Sequence, residues 1–208
     1  MTNNFETTFQ IHKPIIGMIH LAGENSQNKV ERALEELIIY EQEKVDGAII
    51  EDYHGSPQNV IETLRLSQEK FNLVIGINIL SDPYSAFKLT QEFGARFVQF
   101  DSVQTPDLDL ELYKNLRTQF PNIAVFGGIG FKYTSLTRNP LETDLREGKS
   151  RCDAIVTTGS GTGVETPIKK LKEFRRMLGD FPLIVGAGVN LGNVYEQLKV
   201  TNGAIIGS

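Results

Sequence analysis

The chain has 208 residues, of which 40% are hydrophobic and 23% charged, a composition typical of a folded globular protein. This length supplies one sizeable hydrophobic core and is short for two, so we expect a single domain over residues 1–208. The net charge of -5 argues against nucleic acid as a partner, because contacts to a phosphate backbone need clustered Lys and Arg.

The amino-terminal segment MTNNFETTFQIHKP has no basic region followed by an apolar run, so it does not resemble a signal peptide. No apolar stretch approaches the roughly 18 residues of a membrane helix, and the sequence predicts no membrane span. The single cysteine, Cys152, can form no internal disulfide and precedes an apolar segment. We therefore expect a buried thiol and a cytoplasmic location.

Eight short apolar segments recur along the chain, and each predicts a β-strand. Their character is nearly continuous rather than alternating, which is typical of parallel strands that are buried on both faces. The segments are Pro14–Leu21, Gly47–Tyr53, Leu73–Leu80, Arg96–Val103, Asn122–Gly130, Asp153–Gly159, Pro182–Val189 and Gly203–Ser208.

Longer amphipathic stretches separate the strands and predict helices, for example VERALEELIIYEQEKV at residues 30–45. Three dipeptides, SP at 56–57, DP at 82–83 and TP at 166–167, are helix-start signals. Gly94 and Gly179 are suitable helix-terminating glycines. The one long irregular stretch, 131–148, leaves room for a short helix only.

Strict alternation of eight strands with helices favours a closed TIM (β/α)8 barrel. An open doubly wound sheet is the alternative, but no G-x-G-x-x-G fingerprint follows the first strand. The sequence ends directly after strand eight, so we expect the barrel to lack its final helix. The uncovered flanks of strands one and eight then predict a homo-oligomer.

In such a barrel the functional residues lie at the carboxyl ends of the strands. Glu51 and Asp52 end strand two, and alternation directs only one of them inward. We expect Glu51 to be the inward residue and Asp52 to cap the next loop. Asp101 has the same parity as Gln99 and is either a ligand contact or a loop cap.

Three further polar residues stand at strand ends. A buried amide at Asn78 needs hydrogen-bond partners, which a neighbouring strand or a ligand could supply. His20 closes strand one and is either a core histidine or a general acid or base. Lys132 follows strand five and is either a solvated lysine or a group that binds an anion or carries a proton. Glu51, Asp101, Lys132 and His20 are the candidate catalytic residues.

Glycine-rich loops follow the last three strands and predict an anion site. Loops of small residues after strands seven and eight bind phosphate in many such barrels, because the backbone can approach the ligand closely. The alternative is that these glycines only permit tight turns. The candidate phosphate- and substrate-binding residues are Asn78, Thr158, Gly159, Gly186, Gly188, Asn190, Gly207 and Ser208.

Several segments resemble the motifs of the BtpA family, which includes SgcQ-like proteins. HKPIIGMIHLAG, VDGAIIEDY, DAIVTTGSGTGVETP and PLIVGAGVNLGNV are similar to its strand-one, strand-two, strand-six and strand-seven blocks. The loop AGENSQNK departs from the family's proline-rich continuation, and Tyr133 stands where the family has histidine. The resemblance implies a TIM barrel. It also implies a link to photosystem I biogenesis in some members and proximity to sugar-transport genes in others.

Two functions are compatible with these observations. The first is an enzyme that binds, and isomerises or cleaves, a small phosphorylated sugar or related metabolite. The second is a non-catalytic assembly or regulatory factor that keeps a ligand pocket. The three histidines do not fall at ligand spacing, and we expect neither a metal site nor a cofactor.

Overall fold

Eight parallel strands pair in chain order, and β8 pairs back onto β1 to close the barrel. The computed structural model describes residues 3–105 and 107–207. The strands are β1 Ile15–Ile19, β2 Gly47–Glu51, β3 Val74–Asn78, β4 Phe97–Phe100, β5 Ala124–Gly128, β6 Ala154–Thr157, β7 Leu183–Val185 and β8 Gly203–Ile206. Each strand lies within a segment predicted from the sequence, and the TIM-barrel prediction is confirmed.

Helices alternate with the strands around the outside of the barrel. They are α1 Asn4–Thr8, α2 Ser26–Gln42, α3 Pro57–Ser67, α4 Ser85–Phe93, α5 Leu110–Gln119, α6 Leu141–Arg151, α7 Ile168–Leu178 and α8 Val194–Leu198. Seven of them follow a strand, whereas α1 precedes β1. No helix follows β8 within the described residues, which end at Gly207.

The barrel interior is filled by large apolar side chains. On β4 and β5, Phe97 and Phe126 stack with ring centroids 4.4 Å apart. Gly76 on β3 makes room for this pair, since a Cβ there would lie 2.2 Å from the Phe97 ring. Alternation along each strand then carries the same inward parity to the polar residues at the carboxyl ends.

Helix α1 covers the amino-terminal end of the barrel. Phe5 and Phe9 are buried, and their rings lie 5.7 and 6.1 Å from the ring of Phe126. The side-chain amide of Asn3 donates to the backbone oxygen of Asp153 at the start of β6. The interior is therefore closed at this end.

All three dipeptides stand at or just before a helix start, as predicted, but only the first provides a side-chain cap. Ser56 forms a capping box with Asn59 before α3, as expected. Helix α4 begins at Ser85, and Asp82 contributes only its carbonyl oxygen to that turn. The Thr166 hydroxyl donates to the Gly186 carbonyl, 2.7 Å away, instead of capping α7.

The helix ends, the cysteine and the long loop after β5 were also predicted from the sequence. Gly94 and Gly179 follow α4 and α7 with φ of 71° and 62°, which confirms the helix-terminating glycines. Cys152 is buried, as predicted. The stretch 131–148, in which only a short helix was expected, includes the start of α6, an 11-residue helix that runs on to Arg151. Among the described residues, no helix combines the length and the apolar character needed to cross a bilayer.

Candidate functional site

Two carboxyl groups meet at the carboxyl-terminal end of the barrel through a shared amide. The Asn78 side-chain nitrogen donates to Glu51 Oε1 at 2.6 Å and to Asp101 Oδ1 at 3.0 Å. On the opposite side of Glu51, His20 Nε2 lies 3.3 Å from Oε2. The structure thus brings together residues from β1 to β4 that the sequence singled out separately.

Asp52 has the role expected of it. Its carboxylate accepts hydrogen bonds from the backbone nitrogen of Leu80 at 2.7 Å and from the hydroxyl of Ser81 at 3.0 Å. It therefore fixes the loop after β3, while its neighbour Glu51 turns inward. The two side chains thus point in the directions that were expected, while the role of Glu51 in catalysis stays a prediction.

The pKa values of the two inward acids are raised. Burial raises the pKa of Glu51 from 4.5 to about 8, the nearby Asp101 adds to this, and the charge of Lys132 opposes it. Burial likewise raises the pKa of Asp101, against the hydrogen bonds from Asn78 and Gln99. A carboxyl with a pKa near 8 is largely protonated at neutral pH and can act as an acid.

Lys132 lies in the loop after β5 and contributes positive charge to the pair of acids. Its charge lowers the pKa of both Glu51 and Asp101. Its backbone nitrogen donates to Thr158 Oγ1 at 2.7 Å, which ties the loop after β5 to the end of β6. The backbone of Lys132 is thus fixed, and the charge of its side chain acts on both acids.

The loop after β7 has a constrained backbone. Gly188 has a φ of 66°, and a Cβ there would lie 2.3 Å from the Glu165 nitrogen. Ala187 also has a positive φ, 63°, as do Leu21 and Tyr133 directly after His20 and Lys132. Such conformations are uncommon outside glycine, and these three residues lie in the loops that follow β1, β5 and β7.

The remaining predicted binding residues fall into three groups. Gly186, Gly207 and Thr158 border the barrel mouth. The Thr158 hydroxyl donates a hydrogen bond to the Gly159 carbonyl. Asn190 is exposed and bonds to the Gly188 carbonyl and the Gly192 nitrogen, so it shapes the loop and does not point into the mouth. Ser208 lies outside the described residues.

Two connected cavities occupy this end of the barrel. A small one of about 30 Å³, the mouth cavity, is lined by His20, Gln99, Lys132, Gly186 and Gly207 among others. A larger cleft of about 540 Å³ lies under the segment between β5 and α6. Phe131, Lys132 and Thr158 line both. The cleft has the volume of a small-molecule site.

Sequence reasoning missed two polar residues at this end. Gln99 was noted only for its parity, yet it is buried and contacts Asp101. Lys170 of α7 donates to the Thr158 carbonyl at 2.7 Å and also to the Gly130 carbonyl. Burial lowers the pKa of Lys170. Only strand parity could have indicated Gln99, and the amphipathic pattern of α7 gives no signal for Lys170.

No group of three or more His, Cys, Asp or Glu side chains within residues 3–105 and 107–207 is arranged to hold a metal ion. The groups brought together at this end of the barrel are a carboxyl with a raised pKa, a second carboxyl and an imidazole, with the charge of Lys132 acting on both acids.

Solved structures with the same fold include several enzymes. N-(5'-phosphoribosyl)anthranilate isomerase from Pyrococcus furiosus aligns with a TM-score of 0.61 at 20% identity, over 94% of this chain and 88% of that one. Tryptophan synthase subunit alpha from Legionella pneumophila aligns with a TM-score of 0.65 at 12% identity, over 100% and 87%. These likenesses show the fold alone.

Sequence comparison is more specific. Photosystem I biogenesis protein BtpA from Synechocystis is 27% identical over 97% of this chain and 81% of its own length. SgcQ, a putative sgc region protein from Escherichia coli, is 25% identical over 62% of this chain and 53% of its own length. The profile of the BtpA family matches residues 11–208, and the chain therefore belongs to the BtpA family.

Proposed function

We propose that this protein is an enzyme that binds a small phosphorylated metabolite, such as a sugar phosphate, and isomerises or cleaves it by acid–base catalysis. One observation carries the proposal: Glu51 and Asp101 are held by the same Asn78 amide beside the mouth cavity, with the Glu51 pKa raised to about 8. Neighbouring carboxyls of this kind can supply both an acid and a base at neutral pH.

Each candidate residue has a defined task in this proposal. Glu51 in its protonated form donates a proton to a substrate oxygen, and Asp101 acts as the base. Lys132 stabilises negative charge that develops on that oxygen. His20, in contact with Glu51, relays or restores the proton.

The phosphate group would bind at the loops after β7 and β8. Gly186 and Gly207 border the mouth cavity, and Gly188 holds the loop after β7 close to Glu165. Backbone amides of such glycine loops suit an anion because no side chain blocks its approach. The names of structural neighbours, a phosphoribosyl isomerase among them, support this choice by analogy of fold only.

A non-catalytic role is the second candidate. The cyanobacterial relative is named as a biogenesis protein, which supports an assembly or regulatory factor that retains a ligand pocket. Against this, Glu51 and Asp101 converge on one point and are not dispersed into ion pairs with helix residues. We favour the enzyme for that reason.

We further propose that the protein is a cytoplasmic homo-oligomer. On the outer faces of β1 and β8, Ile15 and Ile206 remain partly exposed, and a second copy of the chain would cover them. A reducing compartment suits Cys152, whose buried thiol has a pKa raised to about 12. Light scattering tests the oligomer, and a monomer at assay concentration contradicts it.

A thermal-shift screen with inorganic phosphate, sugar phosphates and nucleotides tests the binding proposal. A ligand at about 100 times its Kd stabilises the native state by about 2.7 kcal/mol, which raises the Tm of a protein this size by roughly 5–10 °C. If no phosphorylated compound raises the Tm, the proposal is wrong.

Catalysis is tested on any compound that binds. Incubation in D2O, followed by proton NMR, should show exchange or conversion by the wild-type protein. Glu51→Gln and Asp101→Asn should bind the compound and lose that activity. Binding with no exchange and no conversion would favour the non-catalytic factor.

A further inference from the structure

Gln99 has an unpartnered oxygen in the floor of the mouth cavity. The residue lies on β4, two positions before Asp101, and is only 1% exposed. Its Oε1 atom is buried and accepts no hydrogen bond within the described part of the chain. A buried acceptor without a donor costs free energy, so its retention in the interior calls for an explanation.

The orientation of the amide is fixed by its neighbour. Gln99 Nε2 donates to Asp101 Oδ1 at 3.3 Å, and Asn78 Nδ2 donates to the same oxygen. Since a carboxylate only accepts hydrogen bonds, the nitrogen of Gln99 must face Asp101. Its oxygen is left for another donor.

The space beside Gln99 matches a single polar group. The mouth cavity that Gln99 lines has a volume of about 30 Å³, enough for one hydroxyl or water molecule and too small for a phosphate. The unsatisfied atom, Gln99 Oε1, is an acceptor, so the group that satisfies it must be a donor. A hydroxyl on the ligand meets this requirement.

We propose that Gln99 is a specificity-determining residue that accepts a hydrogen bond from a ligand hydroxyl, and that the substrates are therefore phosphate esters that carry a hydroxyl group, such as sugar phosphates. The inference rests on the proposed function, because the phosphate would be held at the loops after β7 and β8. The inference concerns the end of the ligand that is remote from the phosphate. That end would carry a hydroxyl group and place it in the mouth cavity.

The chain supplies a matched control for a substitution at Gln99. Gln197 on α8 is also 1% exposed and also has an unpartnered Oε1 atom, while its Nε2 donates to the Thr166 carbonyl at 3.2 Å. It does not line the mouth cavity. Gln99→Met and Gln197→Met thus remove the same group from equally buried positions, and only the first should change recognition of a hydroxyl.

The wild-type protein gives the first test and needs no variant. Titration calorimetry would compare ribose 5-phosphate with 2-deoxyribose 5-phosphate, and glycerol 3-phosphate with propyl phosphate. We expect the hydroxylated member of at least one pair to bind about tenfold more tightly or better, since a site built for a hydroxyl rejects the analogue that lacks it. Equal affinity within both pairs would mean that the cavity holds a resident water, and the inference would be wrong.

The variants give the second test. Gln99→Met should abolish the preference within the pair and leave the affinity for inorganic phosphate unchanged, whereas Gln197→Met should keep both. A preference that survives in folded Gln99→Met overturns the inference. If Gln99→Met does not fold, the wild-type comparison decides alone.

The two proposals fail in distinguishable ways. If neither inorganic phosphate nor any ester binds, the proposed function is wrong. Ribose and 2-deoxyribose at high concentration then still test Gln99. If the wild-type protein prefers ribose and Gln99→Met removes that preference, the hydroxyl contact is supported. If the wild-type protein shows no preference for ribose, the hydroxyl contact is refuted.

Discussion

Replacing Glu51 with a glutamine should stabilise the protein at alkaline pH and not at acidic pH. The native state holds the Glu51 proton with a pKa of about 8, while the unfolded chain releases it near 4.5. Below pH 4.5 both states are protonated, and burial of the neutral carboxyl carries no ionisation cost. Between these pH values unfolding releases a proton, so stability due to this group falls as the pH rises.

The size of the effect follows from the two pKa values. Raising a carboxyl pKa from 4.5 to about 8 corresponds to about 5 kcal/mol of stability lost over that pH range. The amide oxygen of the substituted side chain would still accept the Asn78 hydrogen bond, but the substitution alters the contact with His20. The altered contacts change stability at both pH values alike, so we expect Glu51→Gln to gain about 3 kcal/mol relative to wild type on going from pH 5 to pH 8.

Urea unfolding followed by far-UV circular dichroism measures this difference, because the chain has no tryptophan to report by fluorescence. Glu62→Gln is the control: Glu62 is exposed on α3, pairs with Arg65 and has a lowered pKa. It should leave the slope of stability above pH 5 unchanged. If the Glu51→Gln difference from wild type does not vary between pH 5 and pH 8, the ionisation argument is refuted.

Three further substitutions test other parts of the structure. Gly76→Ala places a Cβ 2.2 Å from the aromatic ring on β4, so we expect a loss of about 1–3 kcal/mol in urea unfolding; a loss below about 0.5 kcal/mol would contradict the tight packing. Gly188→Ala would displace the loop after β7 from Glu165 and should abolish the rise in Tm caused by phosphate esters; an unchanged rise would move the anion site elsewhere. Lys132→Met removes a charge that lowers the Glu51 pKa, so that pKa should rise above 8 in a carboxyl 13C NMR titration, and a fall would contradict the assigned proximity.

Strand alternation explains why much of the site could be predicted. Once β2 was identified, its parity placed Glu51 inward and Asp52 outward, and the structure shows both. The same rule applied to β3 and β4 brings Asn78 and Asp101 to the same level. In a barrel of parallel strands, inward-facing residues at the strand ends form a ring around one opening. The grouping of these side chains therefore follows from the sequence.

Other features depend on contacts that periodicity does not encode. Helix α1 has only five residues and is held by Phe5 and Phe9 against the interior, so a search for long amphipathic repeats missed it. Helix α6 is strongly polar along the chain, with Leu145 as its fully buried apolar residue, which hid its helical character. Asn190 looked like a ligand contact because of its place after β7, but its side chain folds back onto its own loop.

The position of Gly207 affects how the protein can be handled. Gly207 borders the mouth cavity, and a Cβ there would lie 3.0 Å from Met18. A purification tag joined after residue 208 would leave the barrel beside the opening through which the proposed ligand would enter. Because α1 closes the other end, such an extension could compete with the ligand for that entrance. Binding measurements should therefore be made with the carboxyl terminus unextended.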